Sequence, residues 1–127
     1  SAVATSIRST PATWTGVMDA IRKLYAKETG VRPALFSFNS AGACPTCNGL
    51  GAVYSDLAYL DGVRSTCTDC GGRRYTEEVL ALTVRGKSIS DALDMTAADA
   101  VGFFTGRDIR PRLQALVDVG LGYLTLD

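Results

Sequence analysis

The sequence predicts an α+β fold, a small helical subdomain with an inserted four-cysteine β-hairpin module. Three observations carry that prediction. Two C-x-x-C turns lie near the middle of the chain, separated by nineteen residues. Apolar residues recur at helical spacing on both sides of them. At 127 residues, 46% hydrophobic and 20% charged, the chain has length for a single core. The expected division is 1–35 as an N-terminal helical part, 36–84 as the insertion, and 85–127 as a C-terminal helical part.

Residues 1–14 read as an irregular lead-in. Thr15 is placed to cap a helix through Val17, Ile21, Leu24 and Tyr25, which share one face and are expected in the core. Arg22, Lys23, Lys27 and Glu28 lie largely off that stripe, and Gly30 is the expected stop. Pro33 breaks regularity. Residues 34–39 then read as a short extended segment with Phe36 and Phe38 on one side.

The insertion opens with Cys44-Pro45-Thr46-Cys47, and Cys67-Thr68-Asp69-Cys70 closes the nineteen-residue spacer. This is the spacing of a four-cysteine metal site. Two residues between thiolates let a tight turn aim both sulfurs at one ion, and two such turns complete a tetrahedron with no open position. The metal is therefore expected to be structural Zn²⁺, held by Cys44, Cys47, Cys67 and Cys70, and the insertion a zinc-binding β-hairpin module built on these four cysteines. Glycines follow each turn, Gly49 and Gly51 after the first and Gly71 and Gly72 after the second. Two disulfides would need an oxidising compartment, and a redox C-x-x-C accounts for only one of the pairs. Four thiolates also hold iron, as in an electron carrier.

Within the spacer, Val53, Tyr54, Leu57, Tyr59 and Leu60 flank an Asp61-Gly62 turn, which reads as a hairpin clamped at its base by the metal. Its aromatics are expected to pack over the cluster rather than stack on bases. Four thiolates and one Zn²⁺ sum to about −2. Arg64, Arg73 and Arg74 either offset that charge or reach phosphates.

Val79–Val84 reads as a strand, with Arg85-Gly86-Lys87 turning back toward Ile89. Ser90 is expected to start a short helix through Ala92, Leu93 and Met95. Thr96-Ala97-Ala98-Asp99 has the form of a capping box, opening a helix through Phe103 and Phe104 that Gly106 ends. Pro111 suits a first helical turn, and Leu113, Leu116 and Val117 face the core until Gly120. The apolar tail 121–127, like the start at Ser1, leads to the expectation that the polypeptide normally continues.

Lysine plus arginine and aspartate plus glutamate both number 13, so the formal net charge is zero. The simplest argument for nucleic acid, a strongly basic chain, is thereby removed. There is no histidine, which excludes triads and histidine shuttles within these residues. No apolar run reaches the ~18 residues of a membrane span, and Ser1–Ser6 show no secretory pattern, so a cytoplasmic location without membrane contact is expected. Neither a G-x-x-x-x-G-K-[ST] loop nor a G-x-G-x-x-G is present. The scattered aspartates read as caps and solvated surface groups, and no residue is assigned a catalytic role.

Several stretches together resemble the UvrA family, the ATP-dependent DNA-damage sensors of bacterial nucleotide excision repair. Arg8-Ser9-Thr10-Pro11-Ala12-Thr13-Trp14-Thr15-Gly16 is similar to the family's R-S-N-P-A-T-Y-T-G, and Phe36-Ser37-Phe38-Asn39 to its F-S-F-N. Cys67 to Tyr75 resembles its C-x-x-C-x-G-K-R-Y, and residues 88–96 its I-A-x-V-L-D-M-T stretch. Leu116-Val117-Asp118-Val119-Gly120-Leu121-Gly122-Tyr123 resembles L-V-D-V-G-L-G-Y. The resemblance implies the signature subdomain of the second ATP-binding half with its zinc module, lying between a phosphate loop and an L-S-G-G-E motif that these residues lack. It implies a DNA-facing role in damage recognition, with ATP bound only by the parent protein. It also implies a homodimeric parent, duplex DNA as its partner and contact with a UvrB-like protein.

The residues around Cys44 and the spacer depart from the repair proteins and resemble UvrA-like paralogues linked to resistance against DNA-binding drugs. The C-x-x-C-x-G-x-G around Cys44 also resembles the zinc turns of DnaJ-type chaperones, which implies an alternative function as a zinc-knuckle protein- or peptide-binding module. That family uses four turns where two are found here.

Overall fold

Thr10 starts the first helix, α1 (Pro11–Trp14), by a reciprocal cap. Its hydroxyl accepts the Thr13 N–H, and the Thr13 hydroxyl accepts the Thr10 N–H at 2.8 Å. The computed structural model describes residues 10–55 and 63–127. Part of the expected irregular lead-in is therefore helical, and the rest of it lies outside the described residues. Thr15 does not cap the next helix, because its hydroxyl donates to the Pro11 carbonyl at 2.6 Å and finishes α1. Gly16 takes that place before α2 (Val17–Thr29). Val17, Ile21 and Tyr25 are fully buried, Leu24 is half-buried, and the Gly30 N–H closes the helix on Ala26.

The expected extended segment after Pro33 is instead a 3-10 turn, Pro33–Phe36. Proline fixes φ near the helical value, so the chain coils where an alternation of aromatics suggests a strand. Both rings still reach the core. Phe36 meets Tyr25 edge-on with centroids 5.8 Å apart, and Phe38 lies 5.8 Å from Tyr75.

The hairpin is present. β1 (Ala52–Ser55) and β2 (Val63–Thr66) pair antiparallel, with Ala52 opposite Thr66 and Tyr54 opposite Arg64. The Asp61-Gly62 turn and Leu57, Tyr59 and Leu60 lie outside the described residues. The strand expected over Val79–Val84 is largely absent. Glu77–Leu80 is a helical turn, α3, capped by Thr76 and carrying Glu77 and Glu78 at its positive end. Only Thr83–Val84 is extended, as β3, paired with β4 (Lys87–Ser88). Arg85 and Gly86 between them have φ of 48° and 81°, the two-residue turn whose twist matches paired strands.

α4 (Ile89–Leu93) is capped by Ser88 rather than Ser90, because Ser88 and Asp91 form a full capping box while Ser90 is buried inside the helix. Thr96 caps α5 (Ala97–Phe103) through the Asp99 N–H at 3.1 Å. That helix ends at Phe103, short of Gly106. α6 (Arg110–Asp118) carries Pro111 in its first turn. Gly120 and Leu121 close it by donating to Val117 at 3.0 Å and Leu116 at 2.8 Å, the paired bonds of a Schellman cap.

The tail binds the ends of α1, α4 and α5, the last through the Ala97 N–H, which donates to the Leu124 carbonyl at 2.8 Å. Leu126 accepts the Ala12 N–H at 2.9 Å and donates to Met95 at 3.0 Å, and the Asp127 N–H donates to Leu93 at 2.9 Å. Leu126 is fully buried in the main core, which also takes Phe36, Tyr75 and Val79 from the cysteine-bearing middle of the chain. The four cysteines form a second, separate cluster. Among the described residues, no helix is long and apolar enough to cross a membrane.

Candidate metal centre

Two turns of the same shape deliver the four sulfurs. In the first, Asn48, Gly49 and Gly51 have φ of 54°, 77° and 73°; in the second, Gly71, Gly72 and Arg74 have φ of 63°, 85° and 75°. Left-handed backbone at these points folds the chain back so that N–H groups face sulfur. The Gly51 N–H donates to Cys47 Sγ at 3.2 Å and the Arg74 N–H to Cys70 Sγ at 3.4 Å. The turns are tied edge to edge. Cys44 N–H donates to the Arg74 carbonyl at 2.8 Å, Cys67 N–H donates to the Gly51 carbonyl at 3.0 Å, and the Thr46 hydroxyl donates to Asp69.

The donor set fits a tetrahedral metal. All four Sγ atoms lie within 4.8 Å of one another, with Cys47 and Cys70 at 3.7 Å and Cys44 and Cys67 at 4.0 Å. Sulfur–metal bonds of ~2.3 Å require edges of about 3.8 Å. None of the four cysteines is disulfide-bonded, and each is buried. Their protons are unevenly held. Burial pushes the Cys47 thiol up to about 12, opposed by the Gly51 N–H. Cys67 is lowered, chiefly by the Cys70 N–H, against the effect of burial. Four thiolates this close repel one another, and a cation bound among them would offset that repulsion.

The three arginines expected near the site divide. Arg64 and Arg73 are exposed. Arg64 stands opposite Tyr54 across the hairpin, so the two share a face, and Tyr54 and Val53 are 43% and 41% exposed. Tyr54 therefore does not pack over the cluster as expected. Arg74 is 8% exposed. Its guanidinium lies 4.4 Å over the Phe38 ring, donates to the Gly49 carbonyl at 2.9 Å, and meets both Asp127 carboxylate oxygens at 2.6 and 3.0 Å. Phosphates approaching from solvent do not reach a group placed in this way. Nothing in the sequence points to Asp127, and Phe38 reads there only as part of an extended segment, without its contact to Arg74. The signal for Arg74 is its position, where the second turn breaks the glycine pattern of the first.

No family model matches the chain. UvrABC system protein A of Bacillus subtilis is 47% identical to it over 126 residues, 94% of this chain and 13% of that protein. The Thermus thermophilus protein of the same name is 46% identical over 126 residues. The crystal structure of UvrA2 from Deinococcus radiodurans superposes with a TM-score of 0.87 at 41% identity, covering 95% of this chain and 16% of that one. The chain thus spans about 13% of the length of the curated relatives it matches.

Proposed function

This chain belongs to the UvrA family, and on that premise we propose that it is the zinc-stabilised, DNA-facing portion of a UvrA-like ABC ATPase acting in excision repair of damaged DNA. The four buried cysteines hold one structural Zn²⁺, whose chemistry is to cross-link two turns and order the hairpin between them. ATP binds elsewhere in the longer protein, since these residues contain no phosphate loop. A UvrB-like partner, a homodimeric parent and a cytoplasmic location accompany this reading.

The observation that carries the DNA-facing part is the placement of cations. Arg64 and Arg73 are exposed; Arg64 shares its face of the hairpin with an exposed tyrosine, and Arg73 lies on the second turn, where its Nε also donates to the Cys70 carbonyl at 3.4 Å. A cation beside an aromatic surface suits a nucleic-acid backbone with its bases. Arg74 is left out of this role by its burial. The test is duplex binding by the whole parent protein across a salt series. With Arg64→Glu and Arg73→Glu together, zinc content unchanged, the slope of log affinity against log salt should shrink by about 1.8, two contacts at ~0.9 each. An unchanged slope would remove these arginines from the DNA surface.

A further inference from the structure

We propose that Arg74 couples the metal centre to the segment 121–127, as a positioning residue for the thiolates that is itself anchored by Asp127. The inference rests on the four cysteines binding a metal. Arg74 touches both cysteine turns. Its N–H donates to Cys70 Sγ at 3.4 Å, its carbonyl accepts the Cys44 N–H at 2.8 Å, and its guanidinium donates to the Gly49 carbonyl at 2.9 Å. The other end of the guanidinium fork holds Asp127, whose own N–H is fixed on Leu93.

Arg74 also has φ of 75°, a backbone state that costs a non-glycine residue energy and persists only when its surroundings hold it. The surroundings here are the Asp127 carboxylate, the Phe38 ring and the Gly49 carbonyl. A planar fork is needed to meet them together, which lysine cannot supply. Coupling of this kind is reciprocal: an ordered tail tightens the metal site, and a bound metal steadies the tail.

The experiment uses the 127-residue chain, with zinc competition against a chromophoric chelator and amide exchange at Leu126 and Asp127. Asp127→Asn and Arg74→Lys should each weaken zinc affinity about tenfold, the low end for groups that support metal ligands. In the wild type, removing zinc should speed exchange at Leu126 and Asp127; in Asp127→Asn, zinc should make no difference there. Undiminished affinity in both variants would overturn the inference. So would tail amides in the wild type that ignore zinc, a result that needs no variant to fold. A wild-type chain that takes up no zinc would overturn the site reading together with this one, whereas the other two failures leave the site standing.

Discussion

Gly51 and Arg74 occupy the same place in two copies of one turn. Each lies four residues beyond the second cysteine of its pair, with φ of 73° and 75°. Each donates its N–H to that cysteine's sulfur, at 3.2 and 3.4 Å. They also lie close together. A Cβ on Gly51 would meet the Gly72 carbonyl oxygen at 2.9 Å and the Arg74 Cγ at 3.3 Å. Position 51 stays bare because its left-handed backbone disfavours a side chain and the Gly72 carbonyl, with the Arg74 side chain behind it, fills the space.

Gly51→Ala should therefore damage both turns. Left-handed strain alone costs about 1–3 kcal/mol, and the close contacts add to it. Denaturant unfolding of the zinc-loaded chain measures the loss. A variant as stable as the wild type would show that the two turns do not press on one another.

Tyr25 and Tyr75 should make the fold sensitive to alkali. Tyr25 donates to Lys87 at 2.8 Å and Ser88 at 3.1 Å, and Tyr75 donates to Phe36 at 2.7 Å. Burial, the largest cause for both, holds their pKa values well above the ordinary one of 10.0. The folded state then keeps protons that the unfolded state releases above pH ~10, so this stability is complete below that pH and falls as pH rises past it. Tyr75→Phe should cost about 1–3 kcal/mol at pH 7, from a buried carbonyl left without its donor. It should also flatten the alkaline decline seen in thermal unfolding at successive pH values. An unaltered slope above pH ~10 would mean that Tyr75 ionises without penalty.

Asp94 should act in the opposite sense to an ordinary paired carboxylate. It sits at the C-terminal end of α4, where the helix dipole disfavours a negative charge. Its side chain remains exposed, yet its pKa is raised, first by partial desolvation, then by Asp127 and Asp91, so the effect is small. The folded state thus favours the protonated form, and the charge is a burden above that raised pKa that disappears as pH falls below about 4. Asp94→Asn should raise the unfolding temperature at pH 7 and leave it unchanged at pH 3. A gain that is equal at both values would assign the effect to something other than charge.

Much of this molecule was legible where local chemistry decides the outcome. The α2 stripe, the Thr96 cap, the Gly120 stop and the hairpin between the cysteine turns follow from spacing and turn residues. The errors fall where two local signals compete. Over residues 76–84, β-prone Val79 and Val84 suggested a strand, but Thr76 followed by two glutamates is a helix start and prevails for one turn. Near Phe36 an aromatic alternation competed with Pro33, and proline's fixed φ decided it. The ion pair of Arg74 lay beyond local reasoning. The partner is 53 positions away in sequence, and only the docking of the tail beside the cysteine turns joins them.

The most direct test is the metal itself. Native mass spectrometry of the chain purified under reducing conditions should show one zinc per chain. All four thiols should resist alkylation until a chelator is added, after which all four should react. A folded chain carrying no metal, with its thiols freely alkylated or oxidised to two disulfides, would contradict the account.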